Sequence, residues 1–189
     1  MRSLSLRPTP RYGLTWQLLA LLLTWWGCSS TALAGDWIEG INRHYHDNGV
    51  LKSEFHVANG LRQGSWREWY ATGKPRLELV YRNGLREGPA KEYYSNGQAA
   101  VEMTYKGDQV DGEVREFFTG GRLRQRYQVR AGVLDGPAES YYPSGKLKWR
   151  MHYVAGQPSG QWVRYGINGA VRAVEDHGRV GDGAVPAGG

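Results

Sequence analysis

The chain has 189 residues and a formal net charge of +6, with 27 glycines, 12 tyrosines and 8 tryptophans against 3 phenylalanines and a single cysteine. Such a balance suits short aromatic strands joined by many tight turns and excludes a protein of long helices. One cysteine excludes an intramolecular disulfide, and basic residues that alternate with glutamate along most strands read as a solvated charged face and are weak evidence for nucleic-acid binding.

Residues 1–34 read as a targeting segment. Arg2, Arg7 and Arg11 precede the apolar run from Leu18 to Leu23, and no charge interrupts the stretch from Tyr12 to Gly35. The run is short for a membrane span and has the layout of a secretory signal. Removing those three arginines takes the net charge from +6 to +3. Two cleavage sites compete. Ala32-Leu33-Ala34 before Gly35 suits ordinary signal peptidase, whereas Gly27-Cys28-Ser29-Ser30 resembles a bacterial lipobox in which Cys28 would be lipidated and become the mature N-terminus. Either route implies export, to the periplasm, to an outer-membrane anchor through a lipid on Cys28, or beyond the cell.

From residue 35 to 183 glycines recur every 24 residues. One column is Gly40, Gly64, Gly88, Gly112, Gly136 and Gly160, and a second is Gly49, Gly73, Gly97, Gly121, Gly145 and Gly169. A third, Gly60, Gly84, Gly132 and Gly156, breaks once at Gly107-Asp108. Between the first two columns lies an aromatic strand, as in Trp66 to Tyr70, Ala90 to Tyr94, Val114 to Phe118 and Ala138 to Tyr142. The turn after it needs positive φ only at its glycine if it is a three-residue hairpin loop, and this loop welcomes Pro143 and spares Thr72 and Ser144 a conformation they resist. The returning strand alternates: Leu51, Phe55 and Val57, Leu77, Leu79 and Tyr81, or Leu147, Trp149, Met151 and Tyr153 on one face; Lys52, Arg76, Arg124 and Lys148 among the charges on the other. In this register Glu68 faces Arg76 and Glu116 faces Arg124.

A hairpin of this kind cannot cover its own apolar face, so about six units stack into an elongated all-β antiparallel meander of about twelve strands with local contacts only. An open layer of that size must curl, form a homodimer through its apolar face, or be covered by a partner. In the last unit Gly166 replaces the second aromatic and Glu175 and His177 replace apolar residues, as in a cap; residues 184–189 read as a flexible tail.

The unit Tyr141-Tyr142-Pro143-Ser144-Gly145-Lys146-Leu147, followed by an alternating strand and Tyr-x-x-Gly, resembles the MORN repeat variant, and arrays with this spacing are similar to bacterial proteins labelled YwqK-type antitoxins. The resemblance covers roughly residues 40–183. It implies scaffolding, protein contacts or lipid contact, and, through the antitoxin label, sequestration of a toxin partner or an envelope immunity role.

No arrangement of residues points to catalysis, a cofactor or a metal. His44 and His46 beside Asp47 lack the third and fourth converging ligands that zinc requires. Glu68, Glu92 and Glu116 recur at the repeat period in what reads as one environment, whereas acid–base chemistry needs two carboxylates in unlike environments at one spot. The candidate binding residues are the aromatics Tyr70, Tyr94, Phe118 and Tyr142, a ladder flanked by Lys and Arg that suits contact with protein or glycan. Export makes nucleic acid the least suitable ligand. The expected role is therefore protein–protein interaction or scaffolding at the bacterial envelope, with antitoxin action and glycan binding as alternatives.

Overall fold

The computed structural model describes residues 37–180, so the targeting segment, Cys28 and the tail lie outside the described residues. The strands, in chain order, are β1 (Gly40–Tyr45), β2 (Leu51–Ala58), β3 (Leu61–Trp69), β4 (Pro75–Arg82), β5 (Leu85–Arg86), β6 (Gly88–Tyr93), β7 (Ala99–Lys106), β8 (Gln109–Val110), β9 (Gly112–Phe117), β10 (Leu123–Arg130), β11 (Val133–Tyr141), β12 (Leu147–Val154), β13 (Gln157–Pro158), β14 (Gln161–Tyr165) and β15 (Val171–Asp176). All 15 form one open antiparallel sheet, and twelve of them make a meander in sequence order. The other three, β5, β8 and β13, are the detached first residues of strands that stay continuous in β3 and β11. The expected stack of six hairpins is the fold.

Each hairpin closes as the turn residues dictate. Gly73 N–H donates to the Tyr70 carbonyl at 2.8 Å, and Tyr70 N–H donates to the Lys74 carbonyl at 2.9 Å. The same pair of bonds recurs in all six hairpins, and only the glycine of each loop has positive φ. These are three-residue loops.

The connection from one hairpin to the next is tighter. Asn59-Gly60, Asn83-Gly84, Gly107-Asp108, Ala131-Gly132 and Ala155-Gly156 each place two successive residues at positive φ, the signature of a two-residue type I′ turn. This explains the broken third column. The turn asks for two residues that tolerate the left-handed region, and Gly107-Asp108 supplies them in reversed order. Ala131 and Ala155, at φ of 47° and 48°, meet that demand less comfortably.

A β-bulge follows every three-residue loop. The register slips between His44 and Tyr45, Glu68 and Trp69, Glu92 and Tyr93, Ser140 and Tyr141, and Arg164 and Tyr165, and likewise between Leu123 and Gln125. The extra residues are Lys52, Arg76, Ala100, Arg124, Lys148 and Arg172. Simple alternation therefore fails near the loops, in two ways. Leu51 and Leu147 pair with Tyr45 and Tyr141 and lie on the charged face, not with Phe55 and Met151. Arg76 and Arg124 reach the apolar-face carboxylates Glu68 and Glu116 from the bulge, while the residues directly opposite those acids are Leu77 and Gln125.

Much of the apolar face is buried within the single chain, with Trp66, Met103, Tyr127 and Trp149 half-buried along it. Phe55, Val57, Leu77, Leu79, Tyr81, Tyr105, Val129, Met151 and Tyr153 are all buried. Bulges bend and twist the sheet, and long side chains roof the remaining gaps. The Arg62 guanidinium lies 4.2 Å from the Tyr81 ring centroid, and that of Arg86 lies 4.3 Å from the Tyr105 ring. Trp37 meets Phe55 edge-on at 5.8 Å at one end, and His177 covers Trp162 at 4.3 Å at the other. Much of the apolar layer is thus covered by side chains of the same chain.

Candidate interaction surface

The predicted aromatic residues hold the units together. Tyr70 donates its hydroxyl to the Tyr93 carbonyl at 2.7 Å, Tyr94 to that of Phe117 at 2.6 Å, and Tyr142 to that of Tyr165 at 2.8 Å. His46 occupies the same position in the first hairpin, with Nε2 2.9 Å from the Trp69 carbonyl. Each bond crosses from one hairpin to the next and contributes about 1 kcal/mol. Phe118 has no hydroxyl, so the ladder has one gap, and Gly166 ends it. All four predicted aromatics are half-buried, which leaves part of each ring facing solvent along the loop edge.

The histidines do not converge. His44 stacks on Phe55 at 5.7 Å, while His46 is held by the ladder bond. Among the described residues no cluster of three metal-binding side chains occurs.

Glu68, Glu92 and Glu116 do form a row across the sheet, but their environments differ, contrary to the repeat pattern. Glu68 binds Arg76 and accepts from the Trp66 indole at 2.8 Å. Glu116 is 1% exposed, binds Arg124 and accepts from the Tyr127 hydroxyl at 2.9 Å. Burial, with the adjoining Glu116 charge, pushes the Tyr127 hydroxyl well above its ordinary range. Beside Glu92 the bulge residue is Ala100, which brings no cation. Burial raises the Glu92 carboxyl, opposed by Arg76 and reinforced by Glu116 and Glu68. The column difference at Ala100 was present in the sequence, but the bulge that makes it matter was not.

On the other face one row crosses the whole sheet. In order it reads Arg43, Glu54, Arg67, Glu78, Lys91, Glu102, Arg115, Arg126, Glu139 and Arg150, then Val163 and Val174. Alternating sign makes neighbours pair: Arg43–Glu54 and Lys91–Glu102 at 2.7 Å, Glu102–Arg115 and Arg126–Glu139 at 2.9 Å. Only Arg115 and Arg126 meet as like charges, and each has a glutamate on its far side. The aromatic column next to this row serves it. The Tyr93 hydroxyl donates to Glu78 at 2.9 Å, and burial together with that bond pushes its pKa up to about 12. Burial raises Glu139, but the Tyr141 hydroxyl and Arg126 outweigh it and hold the carboxyl below the usual range. A shallow groove of 590 Å³ lies here, lined by Arg67, Glu78, Lys91, Glu102, Thr104 and Arg115 among others. Its charges are largely mutually satisfied, and it contains no nucleophile paired with a base.

The family model of the MORN repeat variant matches residues 38–59, 62–83, 86–106 and 134–155. Two hairpins lie outside these matches, the fourth with Phe117-Phe118 and Gly120-Gly121, and the sixth with Gly166 in place of the second aromatic. No curated protein matches the chain. Among solved structures, a chain of "Crystal structure of GtfA/B complex bound to UDP and GlcNAc" is similar at 12% identity and a TM-score of 0.27, over 77% of this chain and 29% of that one. The present chain thus spans under a third of that chain, and a likeness at this score carries no argument. MORN repeats are in general protein- or membrane-interaction modules and generally non-catalytic. Four of the six stacked hairpins are thus matched as MORN repeat-variant units.

Proposed function

We propose that the chain is an exported, non-catalytic docking protein that holds a protein partner at the bacterial envelope, along the loop edge of its repeat array. The observation that carries this reading is the ladder itself. Hydroxyl-to-carbonyl bonds fix Tyr70, Tyr94 and Tyr142 at a constant repeat, with ring surface left half-open beside lysines and arginines. Rigid aromatics presented in advance of binding lower the ordering cost of association and supply large contact area. The leader with its two competing cleavage sites supports export, with or without a lipid on Cys28.

Affinity capture from envelope extract tests the reading with two double variants. Tyr94→Phe with Tyr142→Phe keeps the rings and removes the ladder bonds; Tyr94→Ala with Tyr142→Ala removes both. Partner recovery should survive the first and fall with the second. A folded alanine variant that captures the same partner as the wild type refutes docking through these rings. Intact-mass measurement of the secreted or membrane-extracted protein distinguishes cleavage after Ala34 from a diacylated Cys28.

A further inference from the structure

The two edges of the sheet differ sharply in charge. The six stretches that close the hairpins, 46–52, 70–76, 94–100, 118–124, 142–148 and 166–172, together carry eight cations and one acid, Asp47. The five stretches at the opposite edge, 58–63, 82–87, 106–111, 130–135 and 154–159, carry five cations and four acids. Six of the loop-edge cations come as pairs two residues apart: Lys74 and Arg76, Arg122 and Arg124, Lys146 and Lys148. Lys52 and Arg172 extend the rim at its ends. Lys74, Arg122 and Lys146 are exposed, and the guanidinium-bearing side chains of Arg76 and Arg124 remain 51% and 43% accessible although Glu68 and Glu116 bind them. The hairpin with Gln98 and Ala100 is a neutral interval between the pairs.

From this we infer that the loop edge receives an acidic, extended segment of the protein partner; the inference rests on the docking reading above and names its chemistry. Successive hairpins repeat every two strands, about 10 Å. An extended chain rises about 3.3 Å per residue, so acids three residues apart match the cation spacing of neighbouring hairpins. The charged face offers no such field, because every cation of its row adjoins a glutamate on a neighbouring strand.

Two other anionic occupants fit less well. Among the six loop tips a single large apolar side chain, the exposed Ile167 of the last, could enter a bilayer, and insertion at an interface needs a larger apolar area than one residue supplies. Stacking of nucleic-acid bases needs freely accessible aromatic faces, and here the rings are half-buried with their hydroxyls committed to the next hairpin's backbone.

The test uses the full chain and a fluorescein-labelled synthetic peptide with glutamate at every third position in a glycine–serine background, read by anisotropy. A peptide with glutamine in those positions is the control. The glutamate peptide should bind and weaken with added salt, since exposed charges are screened beyond about 10 Å at 0.1 M. Lys146→Glu with Lys148→Glu should weaken it by at least about tenfold, and Lys146→Gln with Lys148→Gln by a smaller factor, as reversal adds repulsion to the lost attraction. Arg82→Glu with Lys106→Glu, at the opposite edge, should change it by less than about twofold. Thermal melts confirm that each variant folds. Equal loss from both edges, binding no better than the glutamine peptide, or tighter lysine-dependent binding to phosphatidylglycerol vesicles or single-stranded DNA overturns the inference. If that happens while capture still depends on the Tyr94 and Tyr142 rings, the acidic segment falls and the docking reading stands.

Discussion

Replacing Ala100 with arginine should stabilise the array, and the gain should depend on pH. Ala100 occupies the bulge position that in neighbouring hairpins holds Arg76 and Arg124, each bound to the glutamate beside it. Glu92 lacks that partner, and its carboxyl is raised, chiefly by burial. A raised carboxyl means the folded state holds the proton more tightly than the unfolded state. Stability from Glu92 is therefore fully present below the unfolded value, about 4.3, and is lost as pH rises through the folded value. Arginine at position 100 reverses this by giving the ionised form a charge-assisted hydrogen bond. Such bonds contribute about 1.5–3 kcal/mol in protected sites and exposed ion pairs about 0.2–1. Glu92 is half-buried, so about 1 kcal/mol at pH 7 is the expected gain, or about 2–4 °C in melting temperature for a chain of this size. Melts of the parent and of Ala100→Arg at pH 7 and at pH 4 decide it. The difference should be largest at pH 7 and shrink at pH 4. An equal gain at both pH values would show that packing or helix-independent strand preference is responsible, and no gain would show that the bulge does not deliver the side chain to Glu92.

The gap in the hydroxyl ladder makes a second prediction: Phe118→Tyr should add a bond to the Tyr141 carbonyl and raise stability by about 1 kcal/mol, while Tyr94→Phe should cost a similar amount, both measurable by urea unfolding. Ala131→Asn and Ala155→Asn should each stabilise by about 0.5–1 kcal/mol, because asparagine tolerates the left-handed conformation that alanine adopts there at a cost; slower amide exchange around those turns is the check. Glu116→Ala should cost about 1–3 kcal/mol, because the buried Tyr127 hydroxyl loses its acceptor while Arg124, 43% accessible, can turn to water; a loss under about 0.5 kcal/mol in chemical denaturation would mean that the Tyr127 hydroxyl finds another acceptor.

How much of this was legible beforehand depends on the range over which each signal acts. The hairpins and their loops were readable because turn chemistry is local: Pro143 and Thr72 exclude one loop type without reference to the rest of the chain. The type I′ connections were equally local, and Gly107-Asp108 marks one even where it breaks the glycine column. The bulges were not readable, since an extra residue in one strand shows only against its partner, and they moved Leu51, Leu147, Arg76 and Arg124 to other faces. The row from Arg43 to Arg150 is an alternation across strands, perpendicular to the chain, and reading along the chain hides it. Tyr70, Tyr94 and Tyr142 stand out in the sequence as candidate binding aromatics, but the sequence could not show that each hydroxyl is committed to the next backbone.

That commitment runs in one direction. Every ladder residue reaches toward the C-terminal neighbour, so an array cut after the fifth hairpin would strand the Tyr142 hydroxyl, whereas the sixth, with Gly166 in that position and Arg172 lying against it, leaves no donor waiting. A grafted seventh hairpin would have to restore a tyrosine at position 166 and evict that arginine before it could dock as firmly as the others.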